Sequence, residues 1–176
     1  MMWNKRLLFL LLAVLVVQPA EAKDKAALEK RPKIYKIDLD GDSKIEIIRI
    51  DAASLADKET RVVVKRKDSA DMGSFAVPGI FNKLELIDLN EDGCKQIAVY
   101  CAGEANYTNL AIYSFKNNKL SRIFSAGSNC GMDTDFRSVL ARIKIGRQRR
   151  IEKGNSYTDI PEWDVWVWSG ERFIRE

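Results

Sequence analysis

From Ile34 onward the chain alternates short apolar runs with clusters of Asp, Asn, Gly and Ser, and it carries no sustained 3.6-residue period. Short runs rich in Ile, Val, Tyr and Phe and bounded by turn residues predict β-strands. The runs are Ile34–Ile37, Ile45–Ile50, Arg61–Lys65 and Ser74–Val77, then Leu84–Ile87, Gln96–Cys101, Leu110–Phe115 and Leu120–Phe124. Asn117-Asn118 supplies the turn between the last two, because asparagine tolerates the left-handed conformation. Further on, Phe136–Ile145 is predicted to pair with Gln148–Lys153 across Gly146-Arg147. Trp163–Trp168 is predicted to pair with Arg172–Ile174 across Ser169-Gly170-Glu171. The expectation is an all-β chain of four-stranded antiparallel units.

Within this rhythm one loop occurs twice. Ile37-Asp-Leu-Asp-Gly-Asp-Ser-Lys-Ile-Glu46 and Ile87-Asp-Leu-Asn-Glu-Asp-Gly-Cys-Lys-Gln96 lie fifty residues apart, each between two apolar runs. Oxygen side chains at positions 1, 3, 5 and 9 of a tight loop suit a hard cation such as calcium. The first copy offers Asp38, Asp40, Asp42 and Glu46, with the Lys44 carbonyl at position 7. Carboxylates this close repel one another unless a cation offsets them. The ordinary alternative is an Asp/Gly turn. The second copy keeps only Asp88 and Asp92 as charged matches. Asn90, the Cys94 carbonyl and Gln96 complete a vestigial set, and a metal-free structural turn is the expectation there.

Fifty residues and four antiparallel strands are the size of one propeller blade. Three propeller-blade-like units follow, at about 34–78, 84–125 and 136–175, in one domain over 34–176 that is an incomplete or compact propeller. The strand, Asp-x-Asp-Gly-Asp-x-x-x-Glu loop and strand of the first unit resemble the FG-GAP/VCBS repeats of extracellular β-propellers. So does the later hairpin Trp168-Ser169-Gly170-Glu171-Arg172-Phe173. The resemblance implies calcium between the first two strands of a blade, and a binding or adhesion role rather than catalysis.

Lys5 and Arg6 precede an unbroken apolar run, Leu7–Val17, followed by Ala20-Glu21-Ala22. This is the layout of a secretory signal peptide, 1–22, cleaved near Ala22. A charged lead-in segment, 23–33, comes next. The chain is therefore expected to be secreted or periplasmic, with no stable membrane insertion. Removing the leader takes away two bases and one acid, so the formal charge of +4 becomes +3. That balance argues for no particular partner, and none of nucleic-acid class is expected. The absence of histidine excludes Ser-His and Cys-His catalysis and the common histidine zinc sites.

In an oxidising compartment the three cysteines suggest one disulfide plus one free thiol, or an intermolecular bond. Cys101 ends the second strand of its unit and Cys130 follows the fourth, at the same end of a meander. A Cys101–Cys130 bridge is expected, with Cys94 free at the other end. Trp163, Trp166 and Trp168 form the most aromatic stretch, read as core packing with a sugar-binding platform as the alternative. Arg142, Lys144, Arg147, Arg149, Arg150 and Lys153 read as a charged edge that discourages aggregation. Asn106-Tyr107-Thr108 matches a glycosylation acceptor.

These readings converge on a non-enzymatic module holding one Ca2+ and binding a protein or surface glycan outside the cytoplasm. A periplasmic enzyme inhibitor and a structural subunit are the alternatives. A carboxylate-based hydrolase ranks below them, because nothing pairs two carboxylates outside the loops. Ile47, Val63, Val165 and Val167 are expected on open outer faces of the first and third units. A monomer is preferred over a homodimer that closes a six-blade ring.

Overall fold

The strand-forming runs assemble into three four-stranded antiparallel sheets in a computed structural model that describes residues 32–51, 58–67, 71–104, 107–117, 119–137, 140–153 and 156–176. The expected leader, most of the lead-in segment, Asn106 and Asn118 lie outside these residues. The first sheet holds β1 (Lys33–Ile37), β2 (Glu46–Asp51), β3 (Glu59–Arg66) and β4 (Asp71–Pro78) in chain order. The second holds β5 (Ile80–Ile87), β6 (Gln96–Ala102), β7 (Thr108–Lys116) and β8 (Lys119–Ser128), again in order. The third runs from β9 (Met132–Asp135) through β10 (Arg142–Lys153) and β11 (Ser156–Trp168) to β12 (Phe173–Arg175). None of the sheets closes into a barrel, and the described residues contain no helix.

Alternation along each strand decides what faces what, because successive side chains point to opposite sides of a sheet. Ile48, Ile50, Val62, Val64, Phe75 and Val77 of the first sheet meet Ile97, Val99, Cys101, Ala111 and Phe115 of the second in one buried cluster. The intervening residues of the second sheet, Ala98, Tyr100, Leu110 and Ile112, meet Ile143, Ile145, Trp168 and Phe173 of the third in another. The second sheet is thus covered on both faces, and Gln96 to Cys101 are all buried. This explains why β6 reads as a continuous apolar run and not as alternation. Tyr100 spans the second interface. Its hydroxyl donates to Glu85 Oε2 at 3.0 Å and lies 2.9 Å from Thr134 Oγ1.

Two expectations for the third unit are corrected. Residues 142–153 form a single strand that passes straight through Gly146, and the hairpin partner of Gln148–Lys153 is Ser156–Pro161. The strand that opens this sheet is Met132–Asp135, and Phe136 lies beyond its end. Gly146 is not in the left-handed region. It is a glycine because a Cβ there would stand 2.9 Å from Cys130 Cβ, while its N–H donates to the Gly131 carbonyl at 2.9 Å. The residue makes room, and no turn forms.

The outer faces are also less bare than expected. Val63 and Val167 are only 9% and 8% exposed, and Ile47 and Val165 are half-buried. Arg49 stands beside Val63 in register and is ion-paired with Asp51, while Arg142 stands beside Val167. Long charged side chains cover apolar neighbours with their methylene stems. Ile97→Ala should open a cavity between the first two sheets and cost about 2–5 kcal/mol in urea unfolding. Ile34→Ala, at a side chain 58% exposed, should stay within about 0.5 kcal/mol. Equal losses would contradict this packing.

Candidate metal centre

Each acidic loop closes on itself through similar backbone geometry, the position-1 aspartate accepting from position 6 in both and from position 4 in the first or position 5 in the second. Asp38 accepts N–H bonds from Gly41 at 2.7 Å and Ser43 at 2.8 Å. Asp88 accepts them from Asp92 at 3.2 Å and Gly93 at 2.9 Å. Asp42 accepts the Lys44 N–H at 2.8 Å, and its counterpart Asp92 accepts the Cys94 N–H at 2.9 Å. The left-handed residues coincide as well: Gly41 and Ser43 in the first loop, Glu91 and Gly93 in the second. Positions 4 and 6 are left-handed in both, and each loop has spent its glycine on a different one.

Asp38, Asp40 and Asp42 bring one carboxylate oxygen each within 4.8 Å of one another, the only such acidic cluster among the described residues. The Lys44 N–H, first among several causes, holds the Asp42 carboxyl below its usual range. Glu46 does not join the cluster. It is fully buried, its Oε2 accepting the Leu39 N–H at 2.9 Å and its Oε1 accepting from Arg66 Nε at 3.0 Å. Gln96 does the same in the second loop, accepting the Leu89 N–H at 2.9 Å and donating to the Cys94 carbonyl at 3.1 Å. Position 9, expected as a ligand, works in both loops as the internal acceptor that shuts them.

The sequence carried no sign of Arg66. Its Nη2 lies 3.2 Å from Asp40 Oδ2 and 3.3 Å from Asp42 Oδ2. The Glu46 hydrogen bond is the main reason its pKa is raised still further. Arg66, Asp40, Asp42, Lys44 and Cys94 line a hollow of about 440 Å³ together with Phe115, Lys116 and Asn117. A larger hollow, about 640 Å³, opens at the other end of the first two sheets, between Pro78-Gly79-Ile80 and Ala102-Gly103.

The loops are joined in series. Lys95 N–H donates to the Leu39 carbonyl at 2.7 Å, and the Cys94 thiol donates to the Asp40 carbonyl at 3.4 Å. Asn90 accepts the Trp168 indole N–H at 2.9 Å, so the second loop is fastened to the third sheet. Burial, followed by the nearby aspartates, pushes the Cys94 thiol up, and a thiol held protonated is a poor metal ligand.

The remaining candidates are dispersed. The expected Cys101–Cys130 bridge is not formed, and all three cysteines are free. Cys101 points to the first sheet, buried in its cluster, whereas Cys130 packs on Gly146 of the third. They flank opposite faces of the second sheet. The tryptophans divide likewise. Trp166 and Trp168 face the second sheet around Phe124 and Phe173, while Trp163 lies on the other face, 47% exposed. The basic hairpin is offset by acids: Arg147 pairs with Asp164 at 2.9 Å, Arg149 with Glu162 at 3.7 Å and Arg150 with Asp159 at 3.4 Å. Arg175 also holds the buried Asp164.

No protein-family model matches this chain, and neither the curated proteins nor the solved structures compared with it include a match. Among the described residues no helix is long and apolar enough to cross a membrane.

The shared backbone of the loops can be tested directly. A Cβ added at Gly93 would meet nothing within 4 Å, so Gly93→Ala should register only the left-handed backbone, about 1 kcal/mol of destabilisation. Glu91→Gly, which relieves the same strain, should not destabilise. Chemical denaturation of both variants checks this, and a harmless Gly93→Ala would argue against the loop conformation.

Proposed function

We propose that this chain is an extracytoplasmic calcium-binding β-repeat module, propeller-like in its units and similar in its first loop to FG-GAP/VCBS repeats. In this reading it acts by binding a protein or a surface glycan and not by catalysis. The observation that carries it is the convergence of Asp38, Asp40 and Asp42 on a loop whose backbone is braced at every turn. The donor set is all hard oxygen, which suits calcium and not zinc or copper. Asp38, Asp40, Asp42 and the Lys44 carbonyl would hold the ion. Bound there, it would supply positive charge that fixes the loop against the second sheet. The second loop has exchanged Asp40's counterpart for Asn90, which is committed to Trp168, and this favours a purely structural role for it.

Binding is favoured over hydrolysis by the state of the carboxyls. A general acid needs a pKa pushed up. Asp42 goes down, chiefly through the Lys44 N–H. For Glu85 burial, the largest single influence, pushes up, but the bonds from Lys83 and Tyr100 and the nearby positive charges together bring it down. The most buried acids, Glu46 and Asp164, are each held by arginine. The exposed ring of Trp163 and the charged hairpin beside it offer the surface for a partner.

An extracellular-type site binds calcium at ~10⁻⁴–10⁻³ M. Binding to the native state alone stabilises it with the logarithm of concentration. Millimolar calcium should therefore raise the melting temperature by a few degrees, about what one to two kcal/mol yields at this size. Asp38→Ala combined with Asp42→Ala should abolish the rise. Identical melts in calcium and in chelator would sink the reading.

A further inference from the structure

Arg66 enters the first loop from β3, where it stands opposite Glu46 in register. Its side chain is 18% exposed and touches three carboxylates: Glu46 through Nε at 3.0 Å, and Asp40 and Asp42 through Nη2 at 3.2 and 3.3 Å. Two of the three clustered aspartates therefore already face a cation. The second sheet shows what the same architecture looks like without it. The register position opposite Gln96 is Ser114, and the loop there carries Asn90 in place of Asp40. The arginine and two of the acids it contacts are replaced together, while the left-handed positions 4 and 6 of the loop are kept.

We propose that Arg66 is the built-in counter-cation of the first loop, holding Asp40 and Asp42 in the absence of metal and competing with a divalent cation for the same oxygens. The competition rests on the calcium reading of the loop, whereas the counter-cation role does not. Glu46 makes the device a pivot. Fully buried and bonded to the Leu39 N–H, it keeps Nε in place while Nη2 yields its aspartates. A guanidinium so tethered stays within a few ångströms of the ion and repels it, an interaction weakly screened in a half-buried site. The loop is thus folded before metal arrives, and its affinity is set low.

The test uses the mature chain with Arg66→Gln and with the double variant Glu46→Gln/Arg66→Ser. The double variant reproduces the neutral Gln96–Ser114 arrangement, so it leaves no buried acid stranded and serves if Arg66→Gln does not fold. Calorimetric titration with calcium chloride should show about tenfold tighter binding in both variants. In chelator, Arg66→Gln should melt about 10 °C lower; the part of that loss due to Asp40 and Asp42 should vanish in an Asp40→Asn/Asp42→Asn background, while the part due to the buried Glu46 stays. Wild type binding calcium while the variants bind it no more tightly would overturn the competition alone. Failure of all three proteins to bind calcium would overturn the competition together with the calcium reading. An Arg66→Gln loss that is the same with and without Asp40 and Asp42 would overturn the counter-cation role.

Discussion

Everything in this fold depends on a middle sheet whose strand β6 has no solvent face. Ile97, Val99 and Cys101 of β6 point one way and Ala98 and Tyr100 the other, and all five are buried. Burying a large aliphatic side chain stabilises by about 1.5–3 kcal/mol, and here the return on one strand requires two neighbours. The first and third sheets are therefore the solvent boundary of the second. Each can keep one charged face, as Arg49 and Asp51 do on one side and Arg142 on the other. Two polar groups trapped between the layers find partners, as Thr60 donates to the Gly79 carbonyl at 2.8 Å and Tyr100 reaches Glu85 and Thr134, whereas the buried indole N–H of Trp166 has none among the described residues.

The acidic loops are how the layers hold register at one end. Leu39 sinks between the first and second sheets, and Leu89 between the second and third. Their N–H groups are taken by Glu46 and Gln96, so a buried backbone donor is never left unmet. From the first loop to the second, and from the second to Trp168, further hydrogen bonds continue the series. A loop that serves as a joint between layers constrains its own electrostatics. The second copy met the constraint by neutral substitution, Asn90 and Gln96. The first retained its acids and recruited Arg66.

This arrangement ties any ligand chemistry at the first loop to packing. Asp40 is half-buried and bonded to Arg66, and its carbonyl receives the Cys94 thiol of the next loop. Asp40 therefore links β3 and the second acidic loop at the junction of two sheets. On the basic hairpin, by contrast, Arg149 and Arg150 meet acids of the facing strand in exposed pairs, and such pairs contribute little stability.

The sequence by itself determined the all-β class, the four-strand rhythm of the first two units, the duplicated loop and which residues share a face. Period-2 alternation and turn chemistry are local properties, and the Leu39/Leu89 and Asp38/Asp88 equivalences are legible in them. It misread Gly146 as a turn, because the reason for that glycine is Cys130, sixteen residues away and packed against it. Alternation assigns a side to Cys101 and to Trp163, but not the sheet that covers that side. So the disulfide was excluded only once the layers were stacked, whereas alternation by itself sets Trp163 on the face opposite Trp166 and Trp168. The role of position 9 is set by the folded loop, which turns Glu46 and Gln96 back onto the Leu39 and Leu89 N–H groups seven residues earlier. The presence of Arg66 belongs to tertiary structure alone, because it depends on β3 pairing with β2 so that Arg66 falls opposite Glu46, a contact twenty residues apart in the chain that no local spacing announces.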